Sequence, residues 1–139
     1  MNIMDKLCEY ITLSEIEIRM LNPLIWAYIG DAIYEVYVRS YIISSDKRSS
    51  NDLHKMSIKF VKAGAQSDYL EKILPSLSEE EQDIVRRGRN TKTYHVPKNA
   101  NVIDYRRATA LEALIGYLYL MKRFDRIDEI MKLIFEAAL

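Results

Sequence analysis

Residues 24–38 read LIWAYIGDAIYEVYV, and residues 109–120 read TALEALIGYLYL. Runs this apolar, in a chain with 29% charged residues, are typical of helices buried around most of their circumference. Each run nevertheless contains an acid, Asp31 directly after a glycine and Glu112 one helical turn before another. Burying an ionised carboxylate is costly unless it is paired or binds a metal. Because glycine permits close approach of two helices, we expect Asp31 and Glu112 to meet and share a cation.

The acids of these runs also have structural interpretations. A buried acid is often the partner of an arginine, lysine or tyrosine, and this alternative stays open for Asp31 and Glu112. For Glu35, an ion pair with Arg39 one turn later is favoured over metal binding. If the acids do bind a cation, their hard oxygen ligands favour Mg²⁺, with Mn²⁺ as an alternative.

The overall composition indicates one domain spanning residues 1–139. Twenty basic and twenty acidic residues cancel, so net charge alone does not point to a nucleic-acid partner. The single cysteine, Cys8, excludes an internal disulfide and fits a reducing compartment. The first residues lack the pattern of a signal peptide, and the run at 24–38 is shorter than the roughly 20 residues of a membrane span. We therefore expect a cytoplasmic protein that does not contact a membrane.

Basic residues concentrate at 86–107, where seven of them accompany Asp104 as the single acid. Gly88 and Asn90 predict a tight turn that clusters guanidinium groups, and such groups bind phosphate well. A second basic set repeats at helical spacing over 54–62 and is expected to line one groove with the first. This pattern favours contact with an RNA backbone over simple solvation, which is the alternative. The candidate RNA-binding residues are His54, Lys55, Lys59, Lys62, Arg86, Arg87, Arg89, Asn90, Lys92, Lys98 and Asn99.

No segment shows the regular alternation of apolar and polar residues that is typical of a β-strand, so we predict an all-α fold. Helices are expected at residues 14–20, 23–41, 51–71, 79–88, from 101 or 104 to 121, and 124–138. Ser14 and Ser78 are the expected caps of the first and fourth helices, and Pro23 suits the start of the second. A monomer that exposed Trp26 and several tyrosines would be prone to association, which favours a dimer interface on these helices.

Four separated motifs resemble the ribonuclease III family, and most closely its small Mini-III branch. They are residues 27–39 (AYIGDAIYEVYVR), 86–90 (RRGRN), 97–99 (PKN) and 112–120 (EALIGYLYL). The resemblance implies an all-helical, homodimeric catalytic domain without a double-stranded-RNA-binding domain. It also implies a Mg²⁺-dependent endonuclease that cleaves double-stranded RNA, leaving 5′-phosphate and 3′-hydroxyl ends. The implied substrate is the precursor of 23S (large-subunit) ribosomal RNA, trimmed at its 5′ and 3′ ends.

The same resemblance assigns roles to individual residues. Asp31 becomes the catalytic acid and a metal ligand, and Glu112 becomes the second ligand. Typical ribonuclease III has a glutamate at the position of Ala27 and an aspartate at that of Thr109, so two of the four usual acids are absent. The departure implies weaker metal binding and leaves the number of metal ions open, with Glu35 and Thr109 as candidate auxiliary residues.

Three functions are compatible with the sequence. The first is the Mg²⁺-dependent endoribonuclease, with a large-subunit ribosomal protein as a further candidate partner. The second is a catalytically inert member of the fold that binds structured RNA as an assembly factor, because half of the usual acids are missing. The third is a helical adaptor whose basic surface faces an acidic protein.

Overall fold

The computed structural model of this protein describes residues 2–45, 49–92 and 96–138. Within these ranges the chain is helical and contains no strand, which confirms the predicted all-α fold. The helices are α1 (Ile3–Cys8), α2 (Glu15–Met20), α3 (Pro23–Ile42), α4 (Ser50–Val61), α5 (Ala63–Ile73), a 3₁₀ turn (Leu74–Ser76), α6 (Glu79–Asn90), α7 (Val102–Leu120) and α8 (Phe124–Ala137).

Helix α7 is the centre of the fold. From Ala108 to Tyr119 it is buried at every position except Glu112, and it packs against α3, α5, α6 and α8. The expectation of a helix buried around most of its circumference is therefore confirmed for α7. Helix α3 is more one-sided, because it buries Tyr34 and Val38 but exposes a stripe of apolar side chains on its other face.

Several helix starts follow from local sequence. Ser14 and Ser78 each accept from the backbone N–H three residues later, and the glutamates at those positions reach back to the cap, as a capping box requires. Asn22 caps α3 with Pro23 in its first turn, and Asn101 caps α7. Helix α1 was not predicted, although Asn2 and Asp5 form the same kind of box.

The single helix predicted at 51–71 is wrong, because the chain forms two helices separated at Lys62. Lys62 has the extended backbone angles φ −65° and ψ 149°. A continuous helix would use the Phe60 carbonyl for the N–H of residue 64, but the Tyr34 hydroxyl donates to that carbonyl at 2.7 Å. The buried tyrosine therefore satisfies the carbonyl that the break leaves without its helical partner.

The tight turn predicted around Gly88 and Asn90 is also wrong, because α6 continues through both residues to Asn90. Gly88 is buried against α7, where an added Cβ would lie 3.0 Å from the Ala113 Cβ. This glycine serves close packing of two helices rather than a turn. In the connection between α6 and α7, residues 93–95 lie outside the described residues.

Trp26 is fully buried, which corrects the expectation that it is exposed. Its indole N–H donates to the Ile18 carbonyl at 2.9 Å, and its ring meets the Tyr117 ring edge-on. In the described part of the chain, no helix is long and apolar enough to cross a membrane.

Candidate active site

Two glycines set the crossing of α3 and α7. A Cβ added at Gly30 would lie 1.7 Å from the Glu112 carbonyl oxygen, and one added at Gly116 would lie 1.7 Å from the Trp26 carbonyl oxygen. Neither position has room for a side chain, so the two backbones are in direct contact. The acid that follows Gly30 is thereby held against the helix that carries Glu112.

The crossing brings Asp31 and Glu112 together. Their side chains are close enough to interact, and both line one open cleft of about 540 Å³. Asp31 is exposed at this cleft, whereas Glu112 is partly buried. The two acids thus form one site that is open to a large ligand on the Asp31 side.

The cleft is built from one face of each helix. On α7, Tyr105, Thr109 and Glu112 succeed one another at spacings of four and three residues, which places them on one face. Helix α3 contributes a matching set that includes Ala27, one turn before Asp31. The residues that line the cleft are Leu24, Ala27, Tyr28, Ile29, Asp31, Ala32, Tyr105, Thr109 and Glu112. The two positions where typical ribonuclease III has further acids, Ala27 and Thr109, therefore lie in the same cleft as the acids that are present.

Burial and the neighbouring Asp31 raise the pKa of Glu112 from an ordinary 4.5 to about 9. In the protein alone, Glu112 therefore favours its neutral, protonated form at neutral pH. A hydrogen bond from Gln66 opposes this shift, because it favours the ionised form. Two adjoining carboxyl groups, one of which is held protonated at neutral pH for want of a counter-charge, fit a hard divalent cation such as Mg²⁺.

The described residues contain no cluster of three or more His, Cys, Asp or Glu side chains suited to a metal. Glu35 accepts from the Arg39 guanidinium at 2.8 Å, the ion pair that the sequence favours for it. The Thr109 hydroxyl donates to the Tyr105 carbonyl one turn earlier, at 3.0 Å. A cation bound by Asp31 and Glu112 would therefore complete its coordination with water or with a phosphate of the substrate.

The basic residues near α4 do not line a single groove. His54 lines a cleft with Arg39 near the end of α3. Lys59 and Lys62 instead line another cleft, together with Lys72 of α5. Lys55 is exposed on α4. The expectation of one groove depended on regular helical spacing over residues 54–62, and the break at Lys62 ends that spacing.

The basic residues of α6 and of the chain that follows it have different surroundings. Arg86 is exposed and pairs with Asp83. Arg87 lies over the Trp26 ring, 4.6 Å from its centre, and donates to the Arg19 carbonyl at 2.9 Å, so its guanidinium contributes to packing. Four further candidates are exposed at the surface: Arg89, Asn90, Lys92 and Lys98. Asn99 is also exposed, in the turn closed by the bond from the Ala100 N–H to the Pro97 carbonyl.

Sequence reasoning missed Tyr105 in the cleft and Gln66 beside it. The spacing of Tyr105 from Glu112, seven residues or two turns, was sufficient to place both on one face of a helix. Gln66 is separated from Leu70 and Ile73 by four and seven residues, so it lies on the buried stripe of α5. A polar residue on an apolar stripe was the available signal.

Comparison with known proteins agrees with this geometry. Residues 24–123 match the Ribonuclease III domain family. Mini-ribonuclease 3 of Clostridium tetani is 51% identical over 119 residues, which cover 85% of this chain and 79% of that protein. Mini-ribonuclease 3 of Staphylococcus aureus is 45% identical over 116 residues, which cover 82% of this chain and 87% of that protein.

A crystal structure of a Fusobacterium nucleatum protein superposes on this fold with a TM-score of 0.77 and 36% sequence identity. The superposition covers 88% of this chain and 98% of that one. Both acids of the cleft fall within the matched residues 24–123. This chain belongs to the ribonuclease III domain family, in its Mini-ribonuclease 3 branch, and is an endoribonuclease of that family.

Proposed function

We propose that this endoribonuclease cleaves double-stranded RNA in a Mg²⁺-dependent reaction and processes the 5′ and 3′ ends of the 23S ribosomal RNA precursor. The observation that carries the proposal is the pair of adjoining carboxyl groups, Asp31 and Glu112, at an open cleft between two apolar helices. Support for the substrate comes from the motifs shared with Mini-III proteins and from the basic surface of the chain. A cytoplasmic location follows from that substrate.

Asp31 and Glu112 are the residues that would hold the cation, with Mn²⁺ as an alternative to Mg²⁺. When bound, the ion supplies an activated water and stabilises the charge that develops on the phosphodiester. Asp31 is exposed and so presents its carboxylate to the RNA side of the cleft, while Glu112 is fixed deeper between the helices. The absence of acids at Ala27 and Thr109 leaves more of the coordination to water and phosphate. Cleavage of this type leaves 5′-phosphate and 3′-hydroxyl ends.

The exposed basic side chains provide an electrostatic surface for the RNA backbone. Lys55 and Lys59 on α4, and Lys92 and Lys98 beyond α6, are all exposed. Contacts of this kind read the charge and shape of a duplex rather than its sequence, and they weaken with salt. A large-subunit ribosomal protein is a further candidate partner that would supply the specificity these contacts lack.

We also propose that the protein acts as a homodimer. An apolar cleft of about 310 Å³ lies beside the acid-lined one, and Tyr28 and Ile29 line both. Tyr28 is 82% exposed and Tyr10 is 85% exposed at this second cleft. Apolar side chains this exposed favour coverage by another protein surface. A second copy seated there would place two acid pairs on one assembly, one for each RNA strand.

The test is cleavage of a long double-stranded RNA, and of a 23S precursor transcript, by the wild type and by Asp31→Asn. We expect wild-type cutting with Mg²⁺, none with EDTA, and at least a 100-fold loss in the variant, because metal-assisted charge stabilisation is worth several kcal/mol. Asp68→Asn, an exposed acid on α5, is the matched control and should cut normally. Normal cleavage by Asp31→Asn or in EDTA would contradict the proposed site. Cutting of the long duplex without cutting of the precursor would contradict the proposed substrate.

A further inference from the structure

Tyr105 brings to the acid-lined cleft a polar group that the protein itself does not use. It lines the same cleft as Asp31 and Glu112 and is partly exposed. Its backbone carbonyl accepts the Thr109 hydroxyl at 3.0 Å, but its own hydroxyl has no hydrogen-bond partner among the described residues. A phenol can both donate and accept a hydrogen bond, so this side chain can offer both to a ligand in the cleft.

Other tyrosine hydroxyls of this chain have structural partners. The Tyr34 hydroxyl donates to the Phe60 carbonyl at 2.7 Å, and the Tyr117 hydroxyl donates to the Glu80 carboxylate. These bonds join residues of different helices and so stabilise the fold. The hydroxyl of Tyr105 makes no such bond in the described part of the chain. Removal of its oxygen should therefore leave the fold intact.

The position of Tyr105 along α7 indicates which part of a ligand it would meet. Seven residues separate it from Glu112, which is about 10 Å along the helix axis. It belongs to the exposed start of α7, where Val102 is 46% and Ile103 is 67% exposed. The exposed Lys98 precedes this start in the chain. An RNA strand that passes from the acid pair toward that lysine would therefore run along Tyr105.

The apolar cleft proposed for a second copy lies in the other direction along α7. That cleft is lined by Tyr119 and Leu120, which follow Glu112, whereas Tyr105 precedes it. Tyr28, the other tyrosine of the acid-lined cleft, also lines the apolar one and is assigned to the dimer contact. Tyr105 does not line the apolar cleft and so is available to RNA in the proposed dimer.

The chemistry of a phenol suits a ribose hydroxyl better than a phosphate. A cation between Asp31 and Glu112 would bind the phosphate that is cut, and Tyr105 is too far along the helix to share it. Other phosphates attract the exposed lysines by charge. The ribose 2′-hydroxyl is neutral and both donates and accepts, as a phenol does. It is also the group that distinguishes RNA from DNA.

We propose that Tyr105 is a substrate-contact residue, whose hydroxyl hydrogen-bonds a ribose 2′-hydroxyl of the RNA near the scissile bond. This inference rests on the proposed function. The contact adds to the binding of RNA and to its selection over DNA, and it takes no part in metal binding.

The test uses a duplex RNA oligonucleotide that is cut at one site, together with copies in which single 2′-deoxynucleotides occupy in turn the positions flanking the cut. Cleavage of each duplex is measured with the wild type and with Tyr105→Phe. Tyr41→Phe is the matched control, because Tyr41 lies outside the cleft, is 39% exposed and has no hydroxyl partner among the described residues. Mn²⁺ binding without RNA, followed by the loss of the free-ion EPR signal, reports separately on the acid pair.

We expect kcat/KM on the all-RNA duplex to fall about 3- to 10-fold in Tyr105→Phe, the value of one hydrogen bond. The loss should appear in KM, with kcat, Mn²⁺ affinity and thermal stability unchanged. At one flanking position, a 2′-deoxynucleotide should cost the wild type and Tyr41→Phe a similar factor but cost Tyr105→Phe nothing further.

Two results would overturn the contact and leave the nuclease assignment intact. One is wild-type kcat/KM in Tyr105→Phe. The other is a loss that adds in full to the effect of every deoxynucleotide, since Tyr105 would then contact no 2′-hydroxyl at those positions. A wild type that does not cut the all-RNA duplex with Mg²⁺ would instead overturn the proposed function itself.

Discussion

Replacing Gly30 by alanine tests whether direct backbone contact between α3 and α7 builds the site. The added Cβ would lie 1.7 Å from the Glu112 carbonyl oxygen and 2.8 Å from the Gly116 nitrogen. Ordinary carbon–oxygen contact begins near about 3.3 Å, so the helices must separate locally by roughly 1.5 Å. The opposing atoms belong to a helical backbone and cannot rotate away as a side chain would.

The expected loss in the free energy of unfolding is about 3 kcal/mol, the upper part of the range for overpacked cores. A domain with 5–15 kcal/mol of stability still folds after such a loss. Activity should suffer more, because the substitution moves the two helices that carry Asp31 and Glu112. A displacement of about 1 Å at a catalytic site costs roughly 100-fold in rate. The variant should therefore be folded at 20 °C and nearly inactive on double-stranded RNA.

Urea unfolding and the cleavage rate measure these two effects separately. Gly64→Ala is the matched control, because a Cβ there meets only the Asp104 carboxylate, at an ordinary 3.8 Å. Since alanine has less freedom than glycine in the unfolded chain, Gly64→Ala should be neutral or more stable by up to about 1 kcal/mol. A Gly30→Ala protein that is as stable and as active as the control would refute the close contact of α3 and α7.

Three further predictions follow from single residues. Glu112 keeps its proton in the folded metal-free protein up to a pKa of about 9 but ionises near 4.5 when unfolded, so stability should fall as pH rises between these values. Thermal melting in EDTA at several pH values should show that Glu112→Gln removes this fall in stability. An equal fall in the wild type and in the variant would contradict the raised pKa of Glu112. Lys122 has φ 61° at the end of α7, so Lys122→Gly should stabilise the fold by about 1 kcal/mol in urea unfolding; destabilisation would argue against this conformation. Tyr28→Glu should convert a dimer to a monomer in analytical ultracentrifugation, and an unchanged mass would place the interface elsewhere.

Features set by neighbouring residues could be predicted from the sequence. The caps at Ser14, Ser78 and Asn101 depend on residues no more than three positions away, and each is present in the fold. The break at Lys62 depends instead on Tyr34, which is 26 positions from the carbonyl that it satisfies. Nothing in the local sequence around Lys62 contains that information, so a continuous helix was the natural prediction.

The residues of the candidate site also fall into two groups, those placed by local spacing and those placed by contacts between distant parts of the chain. The spacing of residues within α3 and within α7 determines which side chains share a face with each acid, and the glycines indicate where two helices can touch. That reasoning is sufficient to bring Asp31 and Glu112 together and to add Tyr105 to their cleft. Gln66 is different, because its position on the buried stripe of α5 shows that it needs a partner without showing which one. The partner is fixed only when α5 packs on α7, and α5 takes its direction from the break at Lys62.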